Sequence, residues 1–155
     1  MSYFTEPQKT PQLLSASVLE VFIRMMLSNA SPSEVEDFLY EAGFNLTSLF
    51  PVKTKDSMAQ LQLEINGLLS ELNLGSASVV DSKDRLLITH RQIPKAADPK
   101  FQDVYIHYFS TLLCGLYNGW FRQTGAPASL MCRISAIRTP DEIVLTLRNR
   151  VVTRK

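Results

Sequence analysis

Apolar residues along the chain keep helical spacing, lose it, and regain it, and each change of period marks an element. From about Leu13 to Asn29 the residues Leu14, Val18, Val21, Phe22, Met25 and Met26 follow one helical stripe. Ser31, Pro32 and Glu34 then make a start signal: a capping serine, a proline at the first helical position and a glutamate that closes a capping box. This second helix is expected to run to about Ala42 and to stop at Gly43, a residue suited to a left-handed cap. A loop with Pro51 follows. A third helix covers roughly Asp56 to Asn73, with Met58, Leu61, Ile65, Leu68, Leu69 and Leu72 on one arc. Leu63 and Gly67 fall on the other side, flanked by Gln60 and Glu64. An apolar residue beside a glycine on an outer face lets another helix approach closely, which makes Leu63 and Gly67 candidates for an oligomer interface. A stray surface leucine is the plainer alternative.

After Gly75 the period drops to two. Ala77 to Val80, a polar turn over Asp81 to Asp84, and Arg85 to Arg91 predict a β-hairpin. Pro94 and Pro99 mark a loop. The longest helix comes next, about Phe101 to Gln123. Its wide apolar arc includes Tyr105, Tyr108, Phe109, Leu112, Leu113, Leu116, Tyr117 and Trp120, and predicts the central buried element. Gly125 and Pro127 end it. Met131, Ile134 and Ile137, a turn over Thr139 to Glu142, and the alternating Ile143, Leu145 and Leu147 predict a second hairpin. The fold class is therefore α+β: N-terminal helices, a hairpin, a long central helix and a second hairpin, with an antiparallel sheet packed on helices. Residues 1–12, with Pro7, Pro11 and several polar groups, are expected to be an extended arm, and residues 13–155 a single domain.

Composition narrows the function only by exclusion. The chain has 155 residues, 45% apolar and 20% charged, with a net charge of +1, so no overall field points to nucleic acid or an anionic membrane. The basic residues near the end, Arg138, Arg148, Arg150, Arg154 and Lys155, are expected on solvated strand faces and a loose C-terminus, with a docking patch for an acidic partner as the alternative. No stretch approaches the roughly 18 uninterrupted apolar residues of a membrane span. The N-terminus lacks a basic start followed by an apolar run, so no secretory signal is expected and the cytoplasm is favoured. Cys114 and Cys132 form no CxxC pair and are expected to be small buried thiols.

The candidate chemistry is sparse. The sequence contains no GxxxxGK[ST], no GxGxxG after a strand, no HExxH and no nucleophile elbow. His107 and Asp103 are expected to form a surface pair at i,i+4, and Cys114 lies two turns from His107 on the same face, about 10 Å along the axis. That is too far for a Cys–His nucleophile. Glu64 and Glu71 share a helix face at a similar separation, which suits solubility better than glycoside chemistry. No catalytic residues, metal ligands or cofactors are expected.

One longer pattern is more specific. Gln60-Leu61-Gln62-Leu63-Glu64, then Asn66, Leu68-Leu69 and Asn73-x-Gly75, resembles the core signature of the cellulose synthase D-subunit family. His90 and Pro94 follow where that family has a strand-ending histidine and a proline. Leu116-Tyr117, Trp120 and Gly125-Ala126 resemble its second block, so the likeness spans about Met58 to Ala126. Over the first 55 residues no likeness beyond helical character is visible.

The resemblance implies a non-catalytic accessory subunit of bacterial cellulose synthesis. It implies a homo-octamer, a tetramer of dimers, whose internal passageways guide nascent β-1,4-glucan chains. It further implies association with the membrane-embedded synthase complex and with a proline-rich accessory protein, on the cytoplasmic side or, alternatively, in the periplasm. A glucan guide needs weak, repeated contacts, because tight binding would halt transport. In the family the N-terminal arm lines the passageways, so Tyr3 and Phe4, aromatics near the tip of the arm, are the candidate glucan contacts on chemical grounds. Two other functions fit the same residues: a scaffold that organises synthase complexes without touching sugar, and a small-ligand-binding regulatory domain.

Overall fold

The capping box at Ser31 forms as its residues require, and it starts the second helix of the described residues. The computed structural model describes residues 9–54, 56–138 and 141–149. Within them, α1 (Lys9–Asn29), α2 (Pro32–Leu49) and α3 (Met58–Leu72) precede the hairpin β1 (Ser76–Asp81) and β2 (Arg85–Arg91). A 3-10 turn (Pro99–Phe101), the long α4 (Gln102–Gln123) and the hairpin β3 (Leu130–Arg138) and β4 (Glu142–Asn149) follow. The architecture is α+β, and the element order is the one the periodicity predicts. Ser31 accepts from the Glu34 amide at 3.1 Å and Glu34 accepts from the Ser31 amide at 2.9 Å, closing the box in both directions.

The two hairpins join through their inner strands into one antiparallel sheet of order β1-β2-β4-β3. Its inner face presents Ile88, His90, Ile143, Leu145, Leu147 and Cys132, all buried. Against it lies α4, whose Tyr105, Phe109, Leu113, Leu116, Tyr117 and Trp120 expose no surface at all. Burial of a wide arc of α4 between sheet and helices makes it the central element, as its apolar breadth predicts. Its C-terminal end also holds the α2–α3 connection: Trp120 Nε1 donates to the Phe50 carbonyl at 2.8 Å, and Gln123 Oε1 accepts from the Val52 amide at 2.9 Å.

Two expectations about the N-terminal half change. Gly43 does not cap α2. The helix runs on to Leu49, and Gly43 is buried in its middle. A Cβ there would be driven into the Leu112 carbonyl of α4, and one at Gly115 into the Tyr40 carbonyl of α2. These glycines let two helix backbones touch where they cross, a packing reason for glycine that outweighs its cost in a helix. In addition, α1 starts at Lys9 rather than near Leu13. Its core-facing side is Leu19, Ile23, Met26 and Leu27. Of the apolar stripe visible in the sequence, Val18, Val21, Phe22 and Met25 point outward, with 51%, 49%, 57% and 58% exposure.

Candidate functional site

Ser57 caps α3 through the Gln60 amide, and Asn73, in the left-handed region at φ 58, ends it. Leu61, Ile65 and Leu69 enter the core. The polar residues on one flank of that arc turn toward β1, an edge strand of the sheet. The Asn66 side chain donates to the Ala77 carbonyl at 2.9 Å and accepts from the Ala77 amide at 2.7 Å. Gln62 Oε1 accepts from the Val79 amide at 2.7 Å. Side-chain amides thus occupy backbone groups that a fifth strand would otherwise seek. Glu64 accepts from the Lys53 and Thr54 amides at 2.8 and 2.9 Å, which fixes the segment entering α3 and gives this carboxylate a structural task.

His90 completes the same end of the sheet. Its Nε2 lies 2.7 Å from the Leu74 carbonyl and its Nδ1 2.6 Å from the Tyr117 hydroxyl. A carbonyl only accepts, so Nε2 carries the proton and Nδ1 accepts from Tyr117. Burial among Phe109 and Tyr117 pushes the imidazole down to about 4, so the ring is neutral at physiological pH.

Leu63 differs from its neighbours on α3. It is 72% exposed. At Gly67, one turn further, an added Cβ would meet nothing within 4 Å. Both candidate interface residues lie together on an open outer face. Tyr3 and Phe4, the candidate glucan contacts, lie outside the described residues.

An open cleft of about 520 Å³ separates α2, α4 and β3. Glu36, Asp37 and His107 stand along one side, and Cys114, Met131, Cys132 and Ile134 line its apolar part. His107 pairs with Glu36 across the helices at 2.9 Å and not with Asp103 on its own helix. The tertiary contact wins because α2 and α4 cross so closely. Cys114 is buried rather than on the polar face, and Cys132 beside it is pushed well above its ordinary value by burial and by the neighbouring thiol. That is the opposite of an activated nucleophile. Among the described residues no group of three His, Cys, Asp or Glu side chains could hold a metal ion, and no helix is long and apolar enough to cross a membrane.

Sequence reasoning missed the roles of Gln62 and Asn66. The available signal was their four-residue spacing beside the core arc of a helix that leads directly into an edge strand.

Comparisons with known proteins agree with this picture. The family model for the D subunit of cellulose synthase matches residues 1–148, which includes the first 55 residues, where the motifs show no likeness. No curated protein matches the sequence. A crystal structure of a trafficking protein particle complex subunit 3 from Naegleria fowleri, covalently bound to palmitic acid, superposes with a TM-score of 0.59 at 16% identity. The alignment covers 91% of this chain and 96% of that one. At that identity the likeness is one of fold.

Proposed function

The chain belongs to the cellulose synthase D-subunit family and so has a role in cellulose synthesis as an accessory subunit, and from that premise we propose that it forms a ring-shaped homo-octamer guiding nascent β-1,4-glucan chains. The match of the family model over residues 1–148 carries this proposal. In it, four dimers close around internal passageways, and each subunit contributes the outer face of α3 to assembly. Support for that face comes from the signature itself. Leu61, Gln62, Glu64 and Asn66 each have an intramolecular task, whereas Leu63 projects into solvent beside the open Gly67. An apolar side chain beside a glycine on an exposed helix face lets a second helix approach closely, and that pairing is the support for this face.

The N-terminal arm, with Tyr3 and Phe4, lines the passageways, where aromatic faces stack weakly on sugar rings and let the chain slide. The protein has no catalytic role. It works on the cytoplasmic side, in contact with the membrane-embedded synthase complex and the proline-rich accessory protein. Light scattering of the purified full chain, combined with NMR titration by cello-oligosaccharides, tests the proposal. An octamer whose resonances shift saturably with oligosaccharide is the expected result. A strict monomer at tens of micromolar would refute the ring. An octamer indifferent to oligosaccharide would favour the second reading, a scaffold acting through protein contacts alone. Apolar side chains exposed on the helix faces fit that reading equally well.

A further inference from the structure

The outer face of α1 carries an apolar feature that the α3 surface does not explain. Val18, Val21, Phe22 and Met25 are each about half exposed or more. At the rotation of an α-helix they share an arc of roughly 100°, separate from the arc of Leu19, Ile23, Met26 and Leu27 that enters the core. The helix therefore carries two apolar stripes, and one of them points away from the protein. Single exposed apolar residues need no account, but four aligned ones do.

We propose that this stripe is a two-fold self-association surface, on which α1 packs antiparallel against α1 of a second copy. The inference rests on the self-assembly reading above and names a contact face which that reading does not contain. Three observations select a second copy as the occupant. First, the stripe is self-complementary. A two-fold axis between positions 21 and 22 sets Val18 against Met25 of the second copy and Val21 against its Phe22, so every apolar side chain meets another.

Second, the stripe carries no free charge that would repel its own image. The Glu20 carboxylate is buried, accepting from the Ala97 and Asp98 amides at 2.7 and 3.3 Å. Arg24, on its flank, is held by Asp98 at 2.8 Å and Glu20 at 3.4 Å, and its guanidinium lies 4.2 Å from the centre of the Phe101 ring. A helix lying on an anionic membrane would instead present free Lys and Arg beside its apolar face.

Third, the area suits a contact that works together with another. Four half-exposed side chains offer on the order of 350 Å² per copy, or about 700 Å² across a pair, against the roughly 1,000 Å² of a stable interface. Paired α1 helices would thus need a second contact to persist. A closed assembly built from dimers requires two different faces on every subunit, and the exposed face of α3 is on a different helix.

The test uses the full-length protein. Light scattering at several concentrations compares wild type with Phe22→Glu, a Val18→Ser, Met25→Ser double variant, and Leu63→Glu. Circular dichroism confirms that each is folded, which is expected because none of these side chains is buried. The α1 variants should lower the assembled mass by about twofold or more, and Leu63→Glu should yield a species of different size that retains the α1 contact. In parallel, a Phe22→Cys variant under a mild oxidant should form a covalent dimer, since the two-fold axis brings position 22 close to its own image, while the native thiols stay buried. A folded Phe22→Glu protein with unchanged mass would overturn the proposal and leave the assembly reading standing. Loss of mass in that variant without cross-linking of Phe22→Cys would overturn the two-fold arrangement. A monomeric wild type would overturn both this inference and the ring.

Discussion

Acidification should destabilise this protein through one residue, His90. The ring is fully buried, donates to the Leu74 carbonyl through Nε2 and accepts from Tyr117 at Nδ1, and burial lowers it from 6.5 to about 4. Between those two values the unfolded chain binds a proton that the folded ring refuses, so stability rises with pH across that window and falls as the pH drops through it. The contribution is fully present above about 6.5 and is lost toward 4. Integrated from pH 7.5 down to pH 5, it amounts to about 2 kcal/mol. Urea denaturation at a series of pH values, at one fixed protomer concentration because assembly adds to apparent stability, measures it. The comparison is with His90→Gln, which should be less stable at pH 7.5 by about 1–3 kcal/mol, because a buried hydrogen-bond network is broken. Groups common to both proteins contribute to both and cancel. The gap between wild type and variant should therefore shrink as the pH falls. Parallel stability curves, or an NMR titration of the His90 ring near 6.5, would refute the argument.

Further outcomes follow from other parts of the fold. Gly115→Ala should destabilise by about 3 kcal/mol or more, or abolish folding, since its Cβ has only the backbone of α2 to enter; a melting curve decides this. Gly67→Phe should leave the melting temperature of the isolated subunit within a few degrees of wild type, because that Cβ meets open space, while light scattering shows weakened assembly. A Tyr3→Ala, Phe4→Ala double variant should assemble normally yet give cellulose of lower crystallinity by X-ray diffraction of the pellicle; unchanged cellulose from a well-assembled variant would end the role of these rings as a guide.

Element type was legible wherever one period ran for several turns or several strand residues. The long apolar arc of α4 and the alternation in β4 each admit one structure, and the capping box at Ser31 fixed the start of α2 to the residue. What misled was any residue whose role depends on a neighbour distant in sequence. Gly43 reads locally as a stop signal, and only the crossing of α4 reveals it as the point where two backbones meet. The α1 stripe reads as a core face because periodicity finds an apolar side without saying what covers it. The inner side is apolar at helical spacing too, with the buried Glu20 at its edge. Spacing offers His107 a partner at Asp103 on its own helix, but the carboxylate it meets is Glu36 on the adjacent one. The interface candidates Leu63 and Gly67 could be placed on an outward arc from spacing alone, since that requires only the geometry of one helix.

The amides of Gln62 and Asn66 along β1 have an effect on the whole sheet. With Ala77 and Val79 of one margin bonded by side chains of its own chain, the margin left unbonded among the described residues is that of β3. Stacking of sheets into an endless ribbon requires two free margins per molecule, one to receive and one to extend. A molecule with one can join a single neighbour and then stops. For an accessory subunit of cellulose synthesis, this termination disfavours fibres of the protein itself.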